Sequence, residues 1–145
     1  MRIVFWQNCL SPHQLPYIVR LLDDNRVDEV VIVAGTSISS DRKSMGWELP
    51  HYNGIEKCQV HVMPNDKLIG SILSARQEDS WHLFSGIRAD GFVFHCIKMS
   101  MDLTLSRGMV TELPCTYDFK RNTENAKPLW MHHIRFRLQD YKYAK

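Results

Sequence analysis

Small, hydrogen-bonding residues gather where the apolar runs of this 145-residue chain give way. They are Gln7-Asn8 after the first run, Gly35-Thr36 after the second, Ser85-Gly86 after the fourth and Thr111-Glu112 after the fifth. Glycine lets a ligand approach the backbone closely, and Ser, Gln, Asn and Glu side chains bond hydroxyl groups. A further group, Ser11-Pro12-His13-Gln14, follows the first run at once. Ser11 suits a helix N-cap, Pro12 the first helical position, and Gln14 stands three residues on, as in a capping box. Pro16 argues that the regular helix begins nearer Leu15, with Pro16 as its first residue. Any one of these residues is more often a plain turn residue than a ligand contact. Four pairs at strand ends form a rim.

Other chemistries find no support in the spacing. The seven glycines never form G-x-G-x-x-G or a P-loop, and no G-x-S-x-G elbow occurs. The seven histidines include no H-E-x-x-H, and the adjacent His132-His133 would point to different helix faces, so no metal site is expected. Cys9, Cys58, Cys96 and Cys115 are scattered without paired spacing. No apolar run reaches the ~18 residues of a membrane span, and no signal-peptide pattern precedes the first strand. A cytoplasmic protein with reduced thiols is the expectation. The apolar share of 44% and charged share of 23% are those of a globular domain. The net charge of +2 is unevenly placed: Lys120 to Lys145 holds seven basic and two acidic residues, +5, which leaves −3 for the rest. Such a basic end could contact a membrane surface, although a solvated helix face is the commoner meaning. Aromatic and basic residues interleave there without an RNA-binding pattern, so no nucleic-acid partner is expected.

The elements that must position the rim alternate between strand and helix. Ile3-Val4-Phe5-Trp6, Glu29–Val33, Cys58–Met63, Trp81–Phe84 and Met109–Glu112 read as strands. The first strand feeds a helix with Ile18, Leu21 and Leu22 on one face. Asn65-Asp66 caps a second with Leu68, Ile69, Ile72 and Leu73, and Phe92-Val93, Cys96-Ile97 and Met101 recur at helical spacing before Gly108 ends that unit. Asp41 to Gly54 reads as a long loop. Pro128 opens a last helix with Trp130, Ile134, Leu138 and Tyr141 along one side, a stripe that could also make a dimer contact. The order predicts an α/β three-layer Rossmann-like domain over 1–127 with a mainly parallel sheet, and a terminal amphipathic basic helix over 128–145. In such sheets ligands bind beyond the carboxyl ends of the strands.

The pieces Ile3-Val4-Phe5-Trp6-Gln7-Asn8, Ser11-Pro12-His13-Gln14, His82-Leu83-Phe84-Ser85-Gly86 and Thr111-Glu112, with Tyr117-Asp118 after them, resemble the amino-terminal half of bacterial family 4-type, GT-B-fold glycosyltransferases of cell-surface polysaccharide pathways. The resemblance runs over nearly the whole chain. It implies an acceptor-side domain for metal-free, retaining transfer from a sugar nucleotide to a glycan or lipid-linked acceptor. The nucleotide would be bound as co-substrate by a second domain, and no other cofactor is implied. This chain would be one domain of a longer enzyme, inactive alone, ending at Lys145 in or near the linking helix. Such an enzyme would be cytoplasmic or peripheral at the inner membrane face. Family members carry a histidine just after the fifth strand, where this chain has Glu112. A carboxylate there would orient or deprotonate an acceptor hydroxyl, which makes Glu112 the expected catalytic residue. Gln7, Asn8, Ser11, His13, Gly35, Ser85 and Gly86 are the expected acceptor contacts. The alternative is a non-catalytic flavodoxin-like domain that binds a small polar or phosphorylated ligand at Ser11-Pro12-His13.

Overall fold

A computed structural model describes residues 1–38, 40–49, 51–52, 55–85 and 91–110. Five strands, β1 (Arg2–Cys9), β2 (Glu29–Thr36), β3 (Cys58–Val62), β4 (Ser80–Ser85) and β5 (Ser106–Val110), form one sheet in the order β3-β2-β1-β4-β5. Every neighbouring pair is parallel. The helices are α1 (Leu15–Leu22), α2 (Ser40–Ser44), α3 (Asp66–Ser74) and α4 (Gly91–Ser100). The fold is therefore α/β and Rossmann-like, as the alternation of runs predicts.

Alternate residues of a strand point to opposite faces, and a parallel sheet covered on both sides needs apolar residues on each. Val30 to Ala34 meet that demand, all five fully buried. On one face Ile3, Phe5, Val30 and Ile32 pack with Ile18 of α1, Leu10 and Tyr52. On the other lie Val4, Trp6, Val31 and Val33, whose side receives α4: a Cβ added to Gly35 would fall 2.8–2.9 Å from the Phe92 side chain. Trp6 stacks between two neighbours on β4, His82 at 6.0 Å and Phe84 at 5.8 Å between ring centres.

Local signals in the chain set the helix starts. The Ser11–Gln14 capping box is present, on a single 3-10 turn (Pro12–Gln14) that hands over to α1 at Leu15. The Asn65 side chain accepts from the Leu68 N–H at 2.9 Å, and Ile69, Ile72 and Leu73 are the buried residues of α3.

Three expectations are corrected. β1 continues through Gln7 and Asn8 because Cys9 still pairs with Thr36, so those two polar residues belong to the strand. The stretch 41–54 contains α2, which is short and buries no residue, so no apolar period marks it. Gly108 lies inside β5 instead of ending a helical unit, because it pairs with Leu83 of β4. The boundary at 127/128, the last helix and its stripe, Thr111, Glu112 and Gly86 lie outside the described residues.

Candidate functional site

The sheet order places a topological switch point between β1 and β4. The chain leaves β1 toward α1 on one face and leaves β4 toward α4 on the other, so the two connections part beyond their carboxyl ends. Gln7 and Ser85 each stand one residue past the Trp6–Phe84 pair of these adjacent strands. Gly35 lies one residue past Ala34, the β2 partner of Gln7. The three expected rim positions among the described residues therefore share one end of the sheet.

Hydrogen bonds tie this end together on the α1 side. Gln14 Nε2 donates to Gln7 Oε1, and the Gln7 side chain also bonds Tyr17. Gln14 Oε1 accepts from the Ser11 N–H at 3.1 Å and from the Tyr52 hydroxyl at 3.5 Å, a long contact. Ser11 Oγ accepts from the His13 N–H at 3.4 Å. Burial pushes the Tyr52 hydroxyl up to about 12 and raises that of Tyr17, so both stay protonated donors at neutral pH. Ser85 Oγ is buried without a hydrogen-bond partner. A buried hydroxyl left unpaired costs about 1–3 kcal/mol, which marks it as a group that a ligand could satisfy.

The expected contacts are put to different uses. Gln7 is buried and, like Ser11, holds the first turn in shape. Asn8 turns its Oδ1 onto the Cys9 N–H at 2.8 Å. Gly35 gives its missing side chain to Phe92, so its smallness serves helix–sheet packing. His13 is the exposed member, its ring edge-on to Trp47 at 5.1 Å. Gly86 and Glu112 are not among the described residues.

Sequence reasoning passed over Trp47, Arg42 and Cys9. The Arg42 guanidinium lies 4.8 Å from the Trp47 ring centre, and its Nη1 donates to Cys9 Sγ at 2.7 Å. Arg42 and Trp47 come from the β2–β3 connection, and only the fold brings them to the end of β1. The five-residue spacing of an arginine and a tryptophan in a loop is the sole signal in the chain.

Among the described residues no group of three or more His, Cys, Asp or Glu side chains could hold a metal ion, and no helix is long and apolar enough to cross a membrane.

Comparison with protein-family models, with curated proteins and with solved structures yields no match to this chain.

Proposed function

We propose that the chain is the acceptor-side domain of a sugar-nucleotide-dependent glycosyltransferase, with the acceptor seated at the carboxyl ends of β1 and β4. The observation that carries this reading is the switch-point rim. It presents amides and hydroxyls, Gln7, Ser11, Gln14, Tyr52 and the unpaired Ser85 Oγ, where an open parallel sheet takes its ligands. Neutral donors and acceptors in that density suit a polyhydroxylated ligand. The first-strand and first-turn residues that support it are those of the family resemblance.

In mechanism the rim would orient an acceptor hydroxyl, and Glu112 would align or deprotonate it for attack on the sugar of the nucleotide donor. The donor would be held by a second domain, because the chain has no glycine-rich phosphate cradle of its own. In an active enzyme Glu112→Gln would lower turnover by about 10²-fold, the usual scale for a general acid–base group.

Saturation-transfer NMR with a panel of mono- and oligosaccharides tests the reading on the chain itself. Saccharide signals are expected, and Ser85→Ala and His13→Ala should abolish or weaken them while the melting temperature holds. Micromolar binding of UDP- or GDP-sugars, with no response to any saccharide, would overturn it.

A further inference from the structure

A titratable ring is buried beneath the α3–α4 side of the sheet. His82 of β4 is fully buried, paired in register with Val4 of β1 and with Arg107 of β5. Its Nδ1 accepts from Trp6 Nε1 at 3.1 Å, and the two rings stack with 18° between their planes. Because Nδ1 accepts, the ring carries its proton on Nε2. That Nε2 is buried and has no hydrogen-bond partner among the described residues.

We propose that the Trp6–His82 pair is an acid-released latch: protonation of His82 opens the α3–α4 layer and leaves the β1–β2–α1 half of the fold closed.

Neutral His82 is the acceptor that satisfies the indole N–H. The imidazolium carries N–H on both nitrogens, so Nδ1 turns from acceptor to donor and faces another donor. Trp6 then loses its partner, and an uncompensated charge stands in the core. The charges nearest to it have the same sign. Arg2 of β1 donates to the Ile72 and Ala75 carbonyls at the end of α3. Arg107 of β5 donates to those of Ser100 and Leu103 at the end of α4. Glu29, 3.2 Å from Arg2 Nε, is the acidic group at this end. The buried residues of α3 are Ile69, Ile72 and Leu73, and those of α4 bring Cys96 and Ser100 but no carboxylate. The ionisable groups on the outer side of α4 are engaged there, His95 with Asp66 of α3 and Lys98 over the Phe94 ring. Protonated His82 is therefore a third cation on the face whose other two hold the helix ends, and lifting those ends off the sheet relieves it.

Burial first, and then Arg2 and Arg107, push the pKa of His82 from 6.5 down to about 4 while the layer is closed. Opening returns the ring to water and toward 6.5, so protons favour the open layer as pH falls through that window. The opposite face gains no charge there. Its core cluster has Tyr52 and Cys58 as titratable side chains, and burial raises the pKa of both, so they stay protonated in acid.

Amide hydrogen exchange of the whole chain at pH 7, 5 and 4, corrected for the intrinsic rate, tests the latch. NMR of the Trp6 indole and the His82 ring nitrogens accompanies it. At pH 7 the ring is expected as the Nε2–H tautomer, with a slowly exchanging indole proton. By pH 4 exchange in α3 and α4 should rise about 10²-fold, in step with loss of the indole signal. Exchange in β1, β2 and α1 should rise less than tenfold. His82→Asn offers the indole an oxygen and takes up no proton, so it should hold α3 and α4 closed at pH 4. His82→Phe keeps an apolar ring there and should show the same flat response to pH. Equal rises in both halves of the fold would reduce the effect to global unfolding and overturn the proposal. An acid response retained in both variants would assign it to the carboxylates of the amino-terminal edge and overturn it as well.

Discussion

At the amino-terminal edge of the sheet charge is matched against charge, whereas at the carboxyl-terminal edge described above the contacts run mainly through amides, hydroxyls and a thiol. The Met1 amino group lies 2.7 Å from Asp28, Arg76 bridges Asp28 and Asp79, and Arg2 Nε stands 3.2 Å from Glu29 Oε2. Arg2 does more than pair. It is buried on β1, and its Nη1 donates to the carbonyls of Ile72 and Ala75 at 3.1 Å each, closing the end of α3. Arg107 on β5 treats α4 in the same way, bonding the carbonyls of Ser100 at 3.0 Å and Leu103 at 3.2 Å. The helices that approach this edge end there, so their unpaired carbonyls and negative dipole ends gather at it, and cations answer them. The opposite edge receives strand ends and the capped first turn. Among the described residues its side chains bond one another, as Gln7, Gln14 and Tyr52 do, and Ser85 Oγ has no partner. One end of the sheet is closed by ion pairs, and the other keeps exchangeable hydrogen bonds, as a ligand rim needs.

The largest expected effect breaks the closed end. Arg2→Met keeps the stem but orphans two carbonyls and leaves Glu29 to Gln59 and Arg76, and should cost roughly 3 kcal/mol in urea denaturation. A loss under about 1 kcal/mol would mean that water replaces the arginine, and that the two edges differ less than the bonds suggest.

The interior between the edges gives the next effect. His82 is fully buried on β4, its Nδ1 accepting from Trp6 Nε1 at 3.1 Å, and its Nε2 has no hydrogen-bond partner. Burial, with the Arg2 and Arg107 charges adding to it, pushes its pKa from 6.5 down to about 4. The unfolded chain therefore takes up a proton as pH falls below 6.5, while the folded chain resists until about 4. Stability should be flat above 6.5 and fall by about 3 kcal/mol between there and pH 4. Denaturation curves at pH 7, 5 and 4 would check it, and His82→Phe should flatten the slope even where it lowers stability overall. Below that window the closed end gives way in turn. The Met1 amino group and Arg76 hold the Asp28 carboxyl well below its usual range, so its contribution is present above pH 3.8 and lost beneath it.

Gly35 and Gly108 compare the two glycines that admit a neighbour. Gly35→Ala would meet the Cβ and ring of Phe92 near the backbone of α4 and should cost about 2 kcal/mol. Gly108→Ala would meet only Leu83 Cδ2, the far end of a flexible side chain, and should cost less than ~1 kcal/mol. Equal losses in thermal melts would show that α4 is free to shift.

The smallest effect belongs to the rim. Ser11→Ala removes the cap on the first turn and should cost about 1 kcal/mol, with Ser11→Gly recovering most of it. A larger loss would show that the rim is braced by more than its own turn.

The sequence alone determined the layer architecture and the local starts. Continuous Val-Ile runs are what a sheet buried on both faces demands, and the Ser11–Gln14 and Asn65 caps satisfy orphan N–H groups within four residues, so both are legible in one dimension. The strand-end positions of Gln7, Gly35 and Ser85 followed from the same reasoning. Tertiary structure decided what those residues do. The role of Gly35 depends on Phe92, 57 positions away, and that of Arg2 on the end of α3, 70 to 73 positions away. The cluster of Cys9, His13, Arg42 and Trp47 exists only because parallel pairing of β1 and β2 brings their carboxyl ends side by side. Local propensity reports on neighbours along the chain, whereas a site is a meeting of strand ends, and its partners are chosen by sheet order, which no short window of residues contains.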